Sequence, residues 1–180
     1  GIGFQPDFCW FKVRNNTDSH AIFDVVRGAT KRIIPNDNSA EGTQSNGLTS
    51  FDSDGFTSGD ANITNGSGRN YVSWNWKANG AGSSNGNGTI TSTVSANTTA
   101  GFSIVSYTGN GTTGATVGHG LGVKPNMIIL KYRNAGSTNW QVYHSSLGAT
   151  KYLQLNSTGA ATTSNTRWND AEPTNQVFTL

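Results

Sequence analysis

The sequence predicts an all-β protein built from two tandem antiparallel β-sandwich or jelly-roll units. Three observations predict it. First, the chain repeats itself. Gly1-Ile-Gly-Phe-Gln-Pro-Asp-Phe-Cys-Trp-Phe-Lys-Val-Arg-Asn15 returns as Gly120-Leu-Gly-Val-Lys-Pro-Asn-Met-Ile-Ile-Leu-Lys-Tyr-Arg-Asn134, and Gly28-Ala-Thr-Lys31 returns unchanged as Gly148-Ala-Thr-Lys151. A shared order of features at a fixed shift marks two copies of one structural unit. Second, apolar residues alternate with polar ones over short runs, and no segment carries a 3.6-residue apolar period. Third, turn-forming residues punctuate these runs at short intervals, as sandwiches and barrels require.

The elements follow in order. In Phe11-Lys-Val-Arg14 and Leu130-Lys-Tyr-Arg133, the first and third residues can face a core while Lys and Arg point outward, with the same phase in both copies. Phe8 to Trp10 and Met127 to Ile129 are apolar throughout, which predicts central strands covered on both faces. Pro6 and Pro125 precede these strands, where proline starts a strand without interrupting its ladder. In Tyr71 to Trp76, Val72, Trp74 and Trp76 share a face. Phe102 to Tyr107 and Tyr152 to Leu155 also alternate. Ser45-Asn-Gly47, Asp52-Ser-Asp-Gly55 and Thr108-Gly-Asn-Gly111 supply residues that tolerate the positive φ of tight turns. Trp10, Trp74, Trp76 and Trp140 fall in strands and are expected in cores.

The repeat sets the domain organisation: a first unit over 1–77, a linker over 78–100, and a second unit over 101–180. The linker is nearly all Gly, Ser, Asn, Thr and Ala, with one short strand expected at Thr89 to Val94. The first unit has no counterpart of Gly101 to Thr108, and the second none of Tyr71 to Lys77. The first is therefore expected to lack its first strand and the second its last. A longer parent chain or neighbouring chains would supply them.

Gly, Ser, Thr and Asn form nearly half the chain, and charged residues only 12%. A net charge of +2 without clusters of Lys and Arg gives no footprint for nucleic acid. No apolar run reaches the ~18 residues that span a bilayer as a helix. Five Trp, five Tyr and eight Phe, with many β-branched residues, argue against disorder. The single cysteine, Cys9, excludes an internal disulfide and aligns with Ile128, so it is expected to act as a small buried hydrophobe.

The residues that could carry chemistry are few. His20 aligns with Trp140 and His144 with Asp24, so neither keeps its identity between the copies, and His119 lies between glycines in a turn. No nucleophile-elbow pattern accompanies the many serines. Asp52-Ser-Asp-Gly55 resembles the opening of a calcium loop, making Asp52 and Asp54 weak metal candidates, but the twelfth position holds Ile63 in place of an acid. Glu41, Asp52, Asp54, Asp170 and Glu172 qualify as glycosidase acids by type alone, since no spacing pairs them. Trp168-Asn-Asp170 combines an aromatic face with hydroxyl-binding groups and is the candidate ligand site, for a glycan; the competing reading folds Trp168 back over the sandwich. No cofactor and no catalytic residue is expected.

Phe102-Ser-Ile-Val-Ser-Tyr-Thr-Gly-Asn-Gly111, Gly118-His-Gly-Leu-Gly122, Pro125-Asn-Met-Ile-Ile129, Trp140-Gln-Val-Tyr-His144, Leu147-Gly-Ala-Thr-Lys151, Trp168-Asn169 and Val177-Phe-Thr-Leu180 resemble a repeat of virion structural proteins of tailed bacteriophages, especially marine and cyanophage types. Phe51-Asp-Ser-Asp-Gly-Phe56 and Tyr71-Val-Ser-Trp74 look like a sister version. The resemblance implies a concanavalin-like sandwich in a non-enzymatic, extracellular virion component: a tail fibre, or a capsid or tail decoration. Expected partners are further copies of the chain, as a homo-oligomer, or other virion proteins, without nucleic acid or membrane. The alternative function is a carbohydrate-binding adhesin that recognises host surface glycans.

Overall fold

The computed structural model describes all 180 residues and contains strands, turns and loops, with no helix. The first repeat carries β1 (Phe8–Val13), β2 (Ala21–Asp24), β3 (Lys31–Arg32), β4 (Gly42–Thr43), β5 (Leu48–Asp52), β6 (Gly55–Ser58) and β7 (Tyr71–Trp76). β8 (Ser83–Asn85) and β9 (Ser92–Asn97) follow. The second repeat carries β10 (Phe102–Tyr107), β11 (Thr116–Gly118), β12 (Met127–Leu130), β13 (Gln141–His144), β14 (Lys151–Gln154), β15 (Thr162–Thr163) and β16 (Val177–Thr179).

The strands form small separate sheets, ordered β2-β1-β7, β10-β9-β8, β12-β13-β14-β15, and the pairs β11-β16, β3-β4 and β5-β6. Single bridges extend them: Ile22 to Ile33 links β2 to the end of β3, and Ile90 to Val117 links the approach to β9 with β11. All named strand pairs are antiparallel.

The repeat is visible in the hydrogen-bond register. Phe8 opposes Asp24 and Cys9 opposes Phe23; in the second copy Met127 opposes His144 and Ile128 opposes Tyr143. Lys31 opposes Thr43, and Lys151 opposes Thr163. The Gly-Ala-Thr-Lys turns close alike. Gly28 N–H donates to the Asp24 carbonyl and Gly148 N–H to that of His144, while Lys31 and Lys151 donate back to Gly28 and Gly148. Both turn glycines hold positive φ, 103° and 75°, the region where a side chain is strained. A one-residue slip would turn every side chain to the opposite face, so equal registers imply equal core positions.

The cores follow suit. Cys9, Phe11, Phe23 and Leu48 are buried together in the first repeat, with Ala29, Phe51, Phe56 and Ile63 against them. In the second, Tyr143, Ala149 and Trp168 are buried with Ile128, Leu130 and Tyr152 packed on them. Cys9 is the buried hydrophobe expected, and burial, reinforced by the nearby Asp7 charge, pushes its thiol up to about 12.

Three expectations need correction. Met127 to Ile129, expected in a central strand covered on both faces, lies in β12, which pairs with β13 alone and leaves Met127 and Ile129 53% and 43% exposed. The 78–100 stretch is no free tether, because β9 pairs with all of β10 and carries buried Ser92, Val94 and Ser95. Its first residues are tied back as well: Asp7, itself buried, accepts from Ala78 N–H at 2.8 Å and Gly80 N–H at 3.3 Å. The strand expected at Thr89 to Val94 runs from Ser92 to Asn97. Trp74 and Trp76, expected in a core, remain 46% and 38% exposed. They lie on β7, at the edge of its sheet, where only β1 pairs with it; Trp10 packs edge-on against Trp74 and Phe8 against Trp76, and Phe102 of β10 stacks on Trp76 at 6.0 Å.

Candidate functional site

The densest polar and aromatic chemistry lies where the second repeat meets the first. Trp140, just before β13, projects onto β2 and the end of β3. Its ring is buried against Ile22 and Ile33, with Phe8, Trp10 and Leu155 around them, and its indole N–H donates to the Ile34 carbonyl at 2.9 Å. The bond satisfies an indole N–H that burial has taken from water. In the first repeat the equivalent position is His20, whose Nδ1 accepts from Trp10 Nε1 at 2.9 Å and stays inside its own unit. Burial lowers the His20 pKa, with the Lys12 charge adding to the effect.

Beside Trp140 an ion network crosses the junction. Arg27, 5% exposed, donates from Nε to Asp24 Oδ2 at 2.5 Å and from Nη1 to Glu41 Oε2 at 3.2 Å. It also donates to the carbonyls of Lys31 and Ile22. Glu41 Oε2 also faces Arg133 Nε of the second repeat at 3.5 Å, and Glu41 N–H donates to the Arg133 carbonyl at 2.9 Å. Lys131 Nζ reaches the Asn38 carbonyl at 3.3 Å and Thr138 at 2.6 Å. Its pKa is lowered by burial, against the opposing pull of Asp37. Arg27, Lys131 and the Trp140 indole all find acceptors in the protein, which makes the junction a polar clamp around an apolar plug.

The sequence-nominated site falls elsewhere. Trp168 is 2% exposed and packs edge-on against Tyr143, with ring centroids 6.0 Å apart. It fills the core place that Leu48 fills in the first repeat. A sugar cannot reach its face without opening that core, so Trp168 is no stacking platform. Asn169 and Asp170 are exposed, with φ of 50° and 52°, and Asn169 lines a shallow polar hollow with Thr112, Thr113, Asn165 and Thr166. The structure therefore separates the aromatic from the two polar residues expected to act with it.

The acidic candidates are also dispersed. Asp52 sits in the β5–β6 hairpin and accepts from the hydroxyls of Thr57 at 2.7 Å and Ser50 at 2.8 Å, bonds that lower its pKa. Asp54 faces the amino terminus and accepts from Gly3 N–H. Neither joins a group of three or more His, Cys, Asp or Glu side chains. His119 is buried; its Nδ1 accepts from Leu121 N–H and its Nε2 lies 3.2 Å from the Thr174 carbonyl, so it braces a turn.

Glu172 holds a second polar cluster. One carboxylate oxygen accepts from Lys124 Nζ at 2.8 Å and from the Tyr143 hydroxyl at 2.5 Å, and the other from Ala149 N–H at 2.8 Å. The Lys124 bond first, then that of Tyr143, holds the Glu172 pKa down to about 2 from an ordinary 4.5. Burial pushes Tyr143 up, with the Glu172 bond adding to the shift. A depressed carboxylate stabilises the fold fully above its unfolded pKa. Below about pH 4.5 the unfolded chain takes a proton that the native one refuses, so this contribution is lost as pH falls toward 2. The side chains of Glu172 and Lys124 are nearly half exposed, and solvent screening limits the effect to roughly 1 kcal/mol. Glu172→Gln is expected to flatten the decline of the thermal midpoint between pH 4.5 and 2; an unchanged slope would show that Glu172 contributes nothing there.

Sequence reasoning missed Arg27, took Glu41 only as a candidate acid by type, and placed Arg133 only as an outward-pointing residue. One signal was present: Arg27 aligns with Leu147 and Asp24 with His144, a paired change of charge at one place in the repeat. No curated protein and no solved structure matches the chain. A family model described as a domain of unknown function, DUF7483, matches residues 1–180, and the chain belongs to that family.

Proposed function

We propose that the protein is a non-enzymatic structural component of a virion exterior, such as a tail fibre or a capsid or tail decoration. In this reading each repeat is a sandwich-like β-unit, and the chain assembles with further copies or other virion proteins outside the cell. The observation that carries it is the junction: two copies of one unit, in equal register, locked by a buried tryptophan and a charge network. The Glu41–Arg133 ion pair and the contact of Lys131 with the Asn38 carbonyl cross between the units, as suits an element that transmits position. The resemblance of its motifs to tailed-phage virion repeats points the same way. The test is immunogold labelling of intact phage particles from the source system with antibodies to this chain. Labelling of fibres or shell is expected; label found only on free protein overturns the reading.

The glycan-binding alternative loses its carrier with the burial of Trp168. Binding on a glycan array that survives Trp168→Leu would revive it at another aromatic.

A further inference from the structure

Asparagine followed by glycine is the pair most open to self-modification, because glycine has no side chain to keep its nitrogen from the asparagine amide. The chain holds six such pairs: Asn46-Gly47, Asn65-Gly66, Asn79-Gly80, Asn85-Gly86, Asn87-Gly88 and Asn110-Gly111. The fold treats them unequally. In three, the glycine N–H that must react is already engaged. Gly47 donates to the Gln44 carbonyl at 3.0 Å, Gly66 to the Tyr71 hydroxyl at 2.6 Å, and Gly80 to the buried Asp7 carboxylate at 3.3 Å. Two more are packed in place. The Asn85 amide lies against Gly118 and leaves no room for a Cβ there. Gly88 is pressed on the Thr116 carbonyl, and the next two residues are bonded to Thr116, Thr89 N–H to its hydroxyl at 3.0 Å and Ile90 N–H to its carbonyl at 3.0 Å.

Asn110-Gly111 has neither restraint. It lies in the loop between β10 and β11, with both residues exposed. Gly111 N–H donates to no group of the protein, and a side chain there would meet nothing within 4 Å. Asn110 Oδ1 accepts from Thr112 N–H at 3.0 Å. That donor sits where negative charge gathers as the amide carbon is attacked, and it favours the attack as an oxyanion-hole donor does. Asn85 has the same kind of bond, from Asn87 N–H at 2.9 Å, but packing against Gly118 holds its amide in place.

We propose that Asn110 is a self-modification site, converted to aspartate and isoaspartate with water as the only co-reactant. The Gly111 nitrogen gives up its proton to solvent and bonds to Asn110 Cγ. The bond from Cγ to the side-chain nitrogen breaks, and that nitrogen takes up a proton and leaves as ammonia. Water then opens the cyclic imide at either carbonyl, leaving one carboxylate; nothing is oxidised or reduced. The formal net charge falls by one, from +2 to +1, and the isoaspartate product adds a methylene to the main chain. Either product sets a carboxylate beside Gly111, Thr112 and Thr113, on the rim of the polar hollow that Asn165 and Asn169 help to line. The reaction goes beyond the assembly reading above and does not depend on it.

The experiment incubates the intact chain in mildly alkaline buffer, both native and unfolded in urea. All six pairs are followed by peptide mass spectrometry, with fragmentation that tells isoaspartate from aspartate. In the native chain Asn110 is expected to convert first, with the other five slower by about tenfold or more. In urea the six rates are expected to converge, because every pair has the same following residue and the protection comes from the fold. Gly111→Ala puts a methyl group beside the attacking nitrogen and is expected to suppress conversion at Asn110 while the other five keep their rates. The strain of alanine at a φ of 73° falls on an exposed loop, and circular dichroism matching the parent checks that the fold holds. Another pair converting first in the native chain, or an equal lead of Asn110 in urea, overturns the proposal. Conversion of Asn110 at the parent rate in Gly111→Ala overturns the ring-closing route.

Discussion

Arg27→Ala is expected to destabilise the protein by about 3–5 kcal/mol, the cost of stripping one partner from a buried ion pair. The size follows from what remains. Asp24 is buried and without the guanidinium keeps an unpaired charge in low-dielectric surroundings, while Glu41 retains only the 3.5 Å contact with Arg133. The Lys31 carbonyl loses the Arg27 donor as well, while that of Ile22 keeps the Ile33 N–H. The control comes from the second repeat, where the corresponding residues are His144, Leu147 and Ala161. The triple change Asp24→His, Arg27→Leu and Glu41→Ala copies that solution and leaves no acid stranded. It is expected to recover most of the loss, because apolar replacement of a whole buried ion network is often close to neutral. Urea denaturation of the three proteins reads the outcome. A single variant within about 1 kcal/mol of the parent would show that water reaches the acids and solvates them.

The triple variant also separates the stability of the first repeat from its hold on the second. Arg133 loses its partner when Glu41 goes, so recovered stability with weaker coupling would place the function of Glu41 at the junction.

Strand class, repeat and register were legible in the sequence because period-2 alternation and matching words are local signals. Phe11-Lys-Val-Arg14 and Leu130-Lys-Tyr-Arg133 gave the shared phase, although only Leu130 of the second run lies in a strand. Position within a sheet was not legible. Trp74 and Trp76 alternate as core residues do, and only the order β2-β1-β7 places them on an edge. The 78–100 stretch misled by composition: Ser92 and Ser95 are small enough to be buried with hydroxyls satisfied, by the Gly118 carbonyl and by Asn79 N–H, so a polar run became a central strand.

The burial of Trp168 was within reach of the sequence. It stands 120 residues after Leu48, the same shift that relates Gly28 to Gly148, and Leu48 opens the run Leu48-Thr-Ser-Phe51. Reading Trp168 as part of a polar loop ignored that register. The junction was harder to see. Arg27, Glu41 and Arg133 come from separate turns and loops, and nothing in their spacing signals that the chain brings them together.

Trp140→Ala is expected to cost about 3–5 kcal/mol, the range for removing a buried aromatic and leaving a cavity. The loss has a second part that a smaller apolar residue would share. Without the indole N–H, the Ile34 carbonyl lies at the junction with no donor, a penalty of about 1–3 kcal/mol. Trp140→Phe isolates this part, since it keeps most of the ring's contact with Ile22 and Ile33 and removes only the donor. Trp140→His imports the residue that the first repeat uses at this position, and the shorter ring is expected to fail to reach Ile34. The three variants should therefore rank Phe, His, Ala in rising cost. Cooperativity gives a sharper reading than midpoint. If the tryptophan couples the repeats, the alanine variant should unfold in two steps, because each repeat retains its own buried cluster of Cys9, Phe11 and Phe23 or of Tyr143, Ala149 and Trp168. Far-ultraviolet circular dichroism and tyrosine-sensitive near-ultraviolet signals would then part company along a urea series. A single transition, shifted but still coincident by both probes, would show that the remaining contacts, Phe102 against Phe8 and Trp76 and the Glu41–Arg133 pair among them, hold the two repeats together without the plug.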